Sequence, residues 1–251
     1  MSLSSIRRKK LSSALTILGI VIGISAIIGL VSLGQSLEST VSEQLEQFGP
    51  DNIIVMAAMT GGMPGSAMMG ETLKEDDIKI IEDISGVDIA VGMLIKTMSV
   101  SYDDESISTY IAGIPAEKSK ELFSDMNVFE MDRGRFFEDG EERVAVLGSK
   151  IATDMLGKTV RVGERITIKD KRFKVIGIMK STGSSQDDQA VVLPIDTLWE
   201  LTDSKDEYTM IYANVVDYTK AASIAEKIEK KLDDKYGENA YMAMTSEQLM
   251  E

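Results

Sequence analysis

Residues 11–33 read LSSALTILGIVIGISAIIGLVSL, directly after Arg7-Arg8-Lys9-Lys10, and no charged side chain follows until Glu38. This apolar run exceeds the ~20 residues that a helix needs to cross the roughly 30 Å hydrocarbon layer. Lipid offers backbone N–H and C=O groups no partners, so a single segment spans it only as a helix. Basic residues flanking such a helix stay in the cytoplasm. Arg7, Arg8, Lys9 and Lys10 are therefore the expected topology anchor. The protein is expected in the cell membrane with its N-terminus cytoplasmic and the bulk of the chain extracytoplasmic. Ser32 and Gly34 are spaced as a signal-peptidase site would want, but the apolar core of a cleavable signal runs only ~7–15 residues. The length favours a retained anchor. Gly19 and Gly23 lie one turn apart, a face on which a second membrane helix could pack closely. Glycine is also simply common in membrane helices.

The chain has 251 residues and a formal net charge of −14. All 41 acidic residues lie at or beyond Glu38 and four of the 27 basic ones precede the anchor, so the exported part balances at −18. Nucleic acid and anionic lipid headgroups call for basic surface, so neither is an expected ligand of that part. There is no cysteine and no histidine. Disulfides, thiol chemistry, the Ser-His-Asp triad and imidazole zinc sites are all excluded. No Gly-x-x-x-x-Gly-Lys-[Ser/Thr] phosphate loop is present, so the chain should not itself hydrolyse ATP. Neither a catalytic residue, a cofactor nor a resident metal is expected. Paired carboxylates remain the one enzymatic option. Asp187-Asp188 and Asp103-Asp104 are adjacent, however, and on an extended chain would point to opposite faces.

The helix is expected to continue past the membrane. Leu33, Leu37, Val41, Leu45 and Phe48 recur at spacings of four, four, four and three, one face of a helix. Gly49-Pro50 stops it. A helix over 11–48 would be roughly 57 Å long. The stripe suits either a linker helix packed on its own domain or a stalk that pairs with another helix and transmits motion.

Beyond it the pattern is α+β. Strands are expected at about 52–57, 89–102, 106–112, 143–147, 159–168, 173–179, 190–193, 209–216 and 241–244. Thr72-x-x-Glu75 is a capping box that opens a helix. Further helices are expected over 115–123, 148–156, from Pro194 through Leu201, and over 218–236. Residues 131–137 read as a turn and 180–189 as a polar loop. Met56, Met59, Met63, Met68 and Met69 mark a Gly- and Met-rich loop. Methionine sulfur could bind a soft metal or face a partner, and the lack of Cys and His favours a mobile or partner-facing loop. Thr245-x-x-Gln248 is a second capping box, so a helix opens at about Ser246. One isolated turn is not stable in water, so the chain reads as interrupted there.

Several segments together carry a family resemblance. They are the basic residues ahead of LTILGIVIGISAIIGLVSLG, RGRFF at 133–137, RVAVLGSKIATDMLG at 143–157, the pair VGERITI and FKVIGIMK, DDQAVVLPIDTL at 187–198, and the terminal TSEQL. In this order they resemble the N-terminal half of a MacB-type ABC transporter permease, of the mechanotransmission class that also includes LolC-like and FtsX-like members. The resemblance implies a cytoplasmic segment (1–10), a transmembrane helix (11–33) and a stalk (34–49). It implies a membrane-near, porter-like lobe (50–112 with 209–244), an inserted lobe (113–208) and the start of a second stalk helix (245–251), with three more membrane helices to follow. The implied function is a permease subunit that works as a homodimer. A cytoplasmic ABC ATPase on a separate polypeptide drives it, and an extracytoplasmic partner protein and membrane lipid attend it. The alternative is a single-pass receptor, or an FtsX-like regulatory protein whose outer domain binds a ligand or a cell-wall hydrolase.

If the stripe is a coupling face, Leu37→Asp or Val41→Asp will uncouple ATPase activity from transport while the outer lobes still fold. Paired ATPase and transport assays check this, and intact transport in both variants contradicts the lever.

Overall fold

The computed structural model describes residues 18–32, 49, 51–58, 72–122 and 129–248. They fall into two units, 1–44 and 45–251. In the first, residues 18–32 form a helix, α1, whose side chains are all exposed. Its large apolar residues are 52–71% exposed. Among the described residues no helix is long and apolar enough to cross a membrane. The expected span, 11–33, runs past α1 at both ends.

The second unit contains twelve strands among the described residues. In chain order they are β1 (Asn52–Ala57), β2 (Leu73–Lys74), β3 (Val87–Tyr102), β4 (Glu105–Ile114), β5 (Met131–Gly134), β6 (Val144–Leu147), β7 (Arg165–Ile168), β8 (Lys171–Met179), β9 (Ala190–Pro194), β10 (Glu207–Tyr208), β11 (Met210–Val215) and β12 (Tyr241–Thr245). Five α-helices accompany them among the described residues, α2 (Glu75–Glu82), α3 (Ala116–Leu122), α4 (Ser185–Asp188), α5 (Ile195–Thr202) and α6 (Ala221–Tyr236), with a π-helical turn at Ile151–Met155 and a 3-10 turn at Tyr218–Lys220. The fold is α+β.

Ten strands form one sheet in the order β12-β1-β11-β3-β4-β9-β6-β8-β5, with β7 bridging β3 and β8. The path β3-β4-β9-β6-β8-β7 therefore returns to β3 and closes a six-stranded ring. β3 makes this possible by its length. Its first half pairs with β11, its second half with β7, and β4 runs along its other edge. The sheet is continuous across segments 50–112, 113–208 and 209–244.

Side chains alternate along each strand, so each contributes to two different cores. On one face Val55, Ile211, Leu94, Ile111, Val191 and Phe173 are buried beneath α2, α5 and α6 in the larger cluster. On the other, Val91, Met93, Val146, Ile176 and Val192 pack with α3 and Phe137 in the smaller one. The α6 stripe Ala221, Ile224, Ile228 and Leu232 faces inward as its spacing predicts.

Four sequence expectations need correction. The helix after Thr72 begins at Glu75 rather than at a Thr72 cap, because Leu73 and Lys74 pair with Tyr208 and Glu207 as a short strand. The cap is reversed in its chemistry: the Asp77 carboxylate accepts the Lys74 N–H at 2.7 Å. Residues 131–134 are an edge strand on β8 rather than a turn. The segment beyond is held by Arg135, which donates both guanidinium arms to Glu141 at 2.7 Å and keeps that carboxyl down at about 2. The expected strand over 159–168 keeps only its last four residues. Glu164 accepts the Arg161 N–H at 2.7 Å and the Tyr102 hydroxyl at 2.8 Å, which turns the chain at Gly163. The 180–189 loop contains a helical turn, α4, capped by Ser184.

One polar residue ties two helices together inside the larger core. Asp77 is fully buried. Besides the Lys74 N–H it accepts Lys235 Nζ at 2.6 Å and the Tyr236 hydroxyl at 2.8 Å, both from α6. Removing one member of a buried charged pair strands the others. Asp77→Ala is expected to lower stability by about 3 kcal/mol, measured by urea unfolding followed on Trp199 fluorescence.

Candidate functional site

The candidate site is the end of the sheet where the first strand begins and the last strand ends. β1 begins three residues after Gly49, and β12 ends at Thr245. The two strands are antiparallel neighbours, with Ile53 opposite Thr245 and Ala57 opposite Tyr241. Antiparallel pairing places the start of one strand beside the end of the other. Gly49 and Ser246 thus meet, and the Ser246 hydroxyl donates to the Gly49 carbonyl at 2.6 Å.

A polar knot secures the entry. Asn214 on β11 donates through Nδ2 to Asp51 Oδ2 at 2.9 Å and to Asn52 Oδ1 at 3.2 Å. Asn52 in turn donates to Asp51 Oδ1 at 3.2 Å. The Val215 N–H donates to the Asp51 carbonyl at 2.8 Å. Asn52 is buried, as are Thr245 and Ser246. Buried polar groups are costly unless paired, so this network specifies one geometry for the entering chain. Gly49 has φ +68°, and a Cβ there would lie 2.6 Å from the Asp51 carboxylate. Only glycine turns the chain so closely over the knot.

The exit is capped as the sequence predicts. The Thr245 N–H donates to Gln248 Oε1 at 3.0 Å, and the Gln248 N–H donates back to Thr245 Oγ1 at 3.3 Å. This reciprocal pair has the hydrogen-bond pattern of a capping box. Both strand ends are therefore held by hydrogen bonds, and they lie side by side at one end of the sheet.

Of the residues expected to carry function, Gly19 and Gly23 lie in α1, with open space around both. Leu33, Leu37, Val41, Leu45 and Phe48 lie outside the described residues, as do Arg7, Arg8, Lys9 and Lys10. Met56 is on β1, whereas Met59, Met63, Met68 and Met69 are outside the described residues. Among the described residues no cluster of acidic or imidazole ligands could hold a metal ion. Asp51, Asn52, Asn214 and Ser246 were missed. The available signal was Asn214 in an otherwise apolar strand, and the Gly-Pro-Asp-Asn turn that opens β1.

Residues 13–231 match the MacB-like periplasmic core domain. The chain is 32% identical over 246 residues to an uncharacterized ABC transporter permease of Methanocaldococcus jannaschii, covering 98% of this chain and 60% of that protein. It is 25% identical to the uncharacterized ABC transporter permease YknZ of Bacillus subtilis, covering 99% of this chain and 64% of that one. A macrolide export ATP-binding/permease protein MacB, from Bdellovibrio bacteriovorus, is 27% identical, covering 76% of this chain and 30% of its own length. The chain thus spans less than two thirds of each of these relatives. Two solved structures share the fold. One is the periplasmic region of MacB from Actinobacillus actinomycetemcomitans, with TM-score 0.66 and 14% identity, covering 84% of this chain and 96% of that one. The other is the extracellular domain of YknZ from Gram-positive bacteria, with TM-score 0.59 and 20% identity, covering 77% and 100%.

Proposed function

The chain belongs to the MacB-like periplasmic core domain family, and from that premise we propose that it is part of the permease subunit of an ABC-type mechanotransmission transporter. It couples ATP binding and hydrolysis by a separate cytoplasmic ATPase to movement of its extracytoplasmic domain, and it performs no chemistry itself. Two copies work together. The N-terminus is cytoplasmic and the second unit lies outside the membrane. Segments 50–112 and 209–244 form the membrane-near lobe, and 113–208 the inserted one.

The observation that carries this reading is the junction. A lever works only if its attachment is stiff. Here the entering and leaving segments are fixed to adjacent strands, β1 and β12, and joined by the Ser246–Gly49 hydrogen bond. β1 lies between β12 and β11 rather than at an edge. A displacement of either end is therefore delivered to the interior of the sheet. The reciprocal hydrogen bonds of Thr245 and Gln248 support the same reading, since they fix the backbone at the end of β12. The charge-free residues 11–37 after four basic residues support the orientation.

The chain has no cysteine, so a single introduced thiol can be labelled cleanly. A nitroxide at Val162→Cys, an exposed position, reports the distance between two copies in the membrane-embedded protein purified with its ATPase. The expected result is a distance that shifts between the nucleotide-free and ATP-trapped states. In Asn214→Ala/Ser246→Ala the shift shrinks while ATP hydrolysis continues. Asn214→Ala alone lowers stability by ~1–3 kcal/mol, since it leaves buried oxygens without donors. Identical wild-type distances in the two nucleotide states contradict the coupling.

A further inference from the structure

The face of the sheet opposite α6 carries a cavity of about 280 Å³. The strand register explains its floor. Met56 pairs with Met210 and Met210 with Met93, a row of three methionines across β1, β11 and β3. Ile95 pairs with Ala112 and Ala112 with Val192, continuing the row across β4 and β9. Tyr110, Tyr212 and Phe129 add aromatic rings. The size lies at the small end of the ~300–1,000 Å³ that ligand pockets occupy. The floor is soft and polarizable, which suits apolar ligands of varied shape.

Of the residues that line this cavity, Asp187 carries the one carboxyl group and none is basic. Its neighbour makes the contrast clear. Asp188 is buried, and its carboxylate accepts the Ser181 hydroxyl at 2.7 Å and the Thr182 N–H at 3.1 Å. Asp188 is thus a structural group that holds the α4 turn. Asp187 is half-buried, and its polar contacts are neutral hydroxyls, Ser184 on its own turn and Thr182 at 3.4 Å. Among the described residues no cation pairs with it. Lys180, at the start of the same loop, is paired with Glu130 at 3.0 Å. The backbone places Asp187 deliberately. Gly148 lets the carbonyls of Asp187 and Asp188 approach so closely that a Cβ there would meet them at 2.6 and 2.4 Å.

We propose that this cavity binds a small amphiphilic cation, an organic amine whose apolar body lies on the methionine floor and whose ammonium pairs with Asp187. Charge complementarity selects that occupant: an anion would meet an unneutralised carboxylate, and a neutral ligand would leave it half-desolvated. The tyrosine rings add faces on which a cation is attracted. The electrostatics agree with the geometry. Burial raises the Asp187 carboxyl above its ordinary value. Burial first and the Asp187 charge second push the Tyr212 phenol up to about 12. A bound ammonium relieves both. The inference stands on the cavity and is independent of the coupling reading, because binding is measured without nucleotide.

The probes are the naphthylmethylammonium ion, the neutral naphthalenemethanol and the naphthylacetate anion, titrated calorimetrically into the membrane-embedded protein. The ammonium is expected to bind about tenfold more tightly than the alcohol, and the anion not at all. Asp187→Asn removes that preference and leaves alcohol binding in place. Ala112→Phe fills the floor and abolishes both. Equal binding of ammonium and alcohol, a preference that survives Asp187→Asn, or no binding of any probe overturns the proposal. If Asp187→Asn fails to fold by circular dichroism, undiminished ammonium binding in Ala112→Phe overturns it instead.

Discussion

The antiparallel pairing of β1 with β12 holds together everything that follows from the fold. β1 is the first strand and β12 the last, yet they are neighbours, and β11 covers the other edge of β1. The domain is thereby closed on its own termini. The start of β1 and the end of β12 are held together by Ser246 on Gly49 and by Asn214 on Asp51 and Asn52. The half-buried amide of Asn214 ties β11 to the start of β1 by donating to Asp51 and Asn52 together.

The same pairing sets the two faces of the sheet. Side-chain period is two, so a slip of one residue would exchange the core with the opposite face. Ile53, Val55 and Ala57 are locked into the larger core by their partners on β11 and β12. Ile54 and Met56 then necessarily face the other way, toward the cavity. The helices sit mainly on the first face, and the second is covered by α3 and the Phe136–Phe137 stack, with ring centroids 4.1 Å apart. The apolar floor is thus a consequence of where the helices are missing from the sheet.

Much of this was legible before any coordinates. The strand at 52–57, the hairpin around Asp103, the inward stripe of α6 and the Thr245–Gln248 cap all follow from local rules of period, turn and capping, and all are present. The run 131–137 misled because an edge strand with Gly134 at φ +78° looks locally like a turn. Its strand character comes from β8, which is more than 35 residues away in sequence. The junction and the cavity were illegible for the same reason. Asn214 and Asp51 are brought together by pairing across 163 positions, and no local pattern encodes which strands are neighbours. From sequence, Asp187 and Asp188 read only as adjacent carboxylates on opposite faces of an extended chain. Only the packing of α4 against Gly148 makes one structural and leaves the other facing a cavity.

The most direct test of the central claim is to lock β1 to β12 covalently. Ile54 and Met244 are directly opposed, at a spacing where a disulfide fits an antiparallel pair. Ile54→Cys/Met244→Cys supplies the only two thiols in the chain, so the distance label at Val162 is attached through an introduced ketone side chain instead of a thiol. The measurement is the ATP-driven change in distance between two copies, in the oxidised and the reduced protein. Transmission through a rigid junction predicts the same change in both, because the strands never part. A change that disappears on oxidation and returns on reduction would show that the strands must separate, and would contradict it.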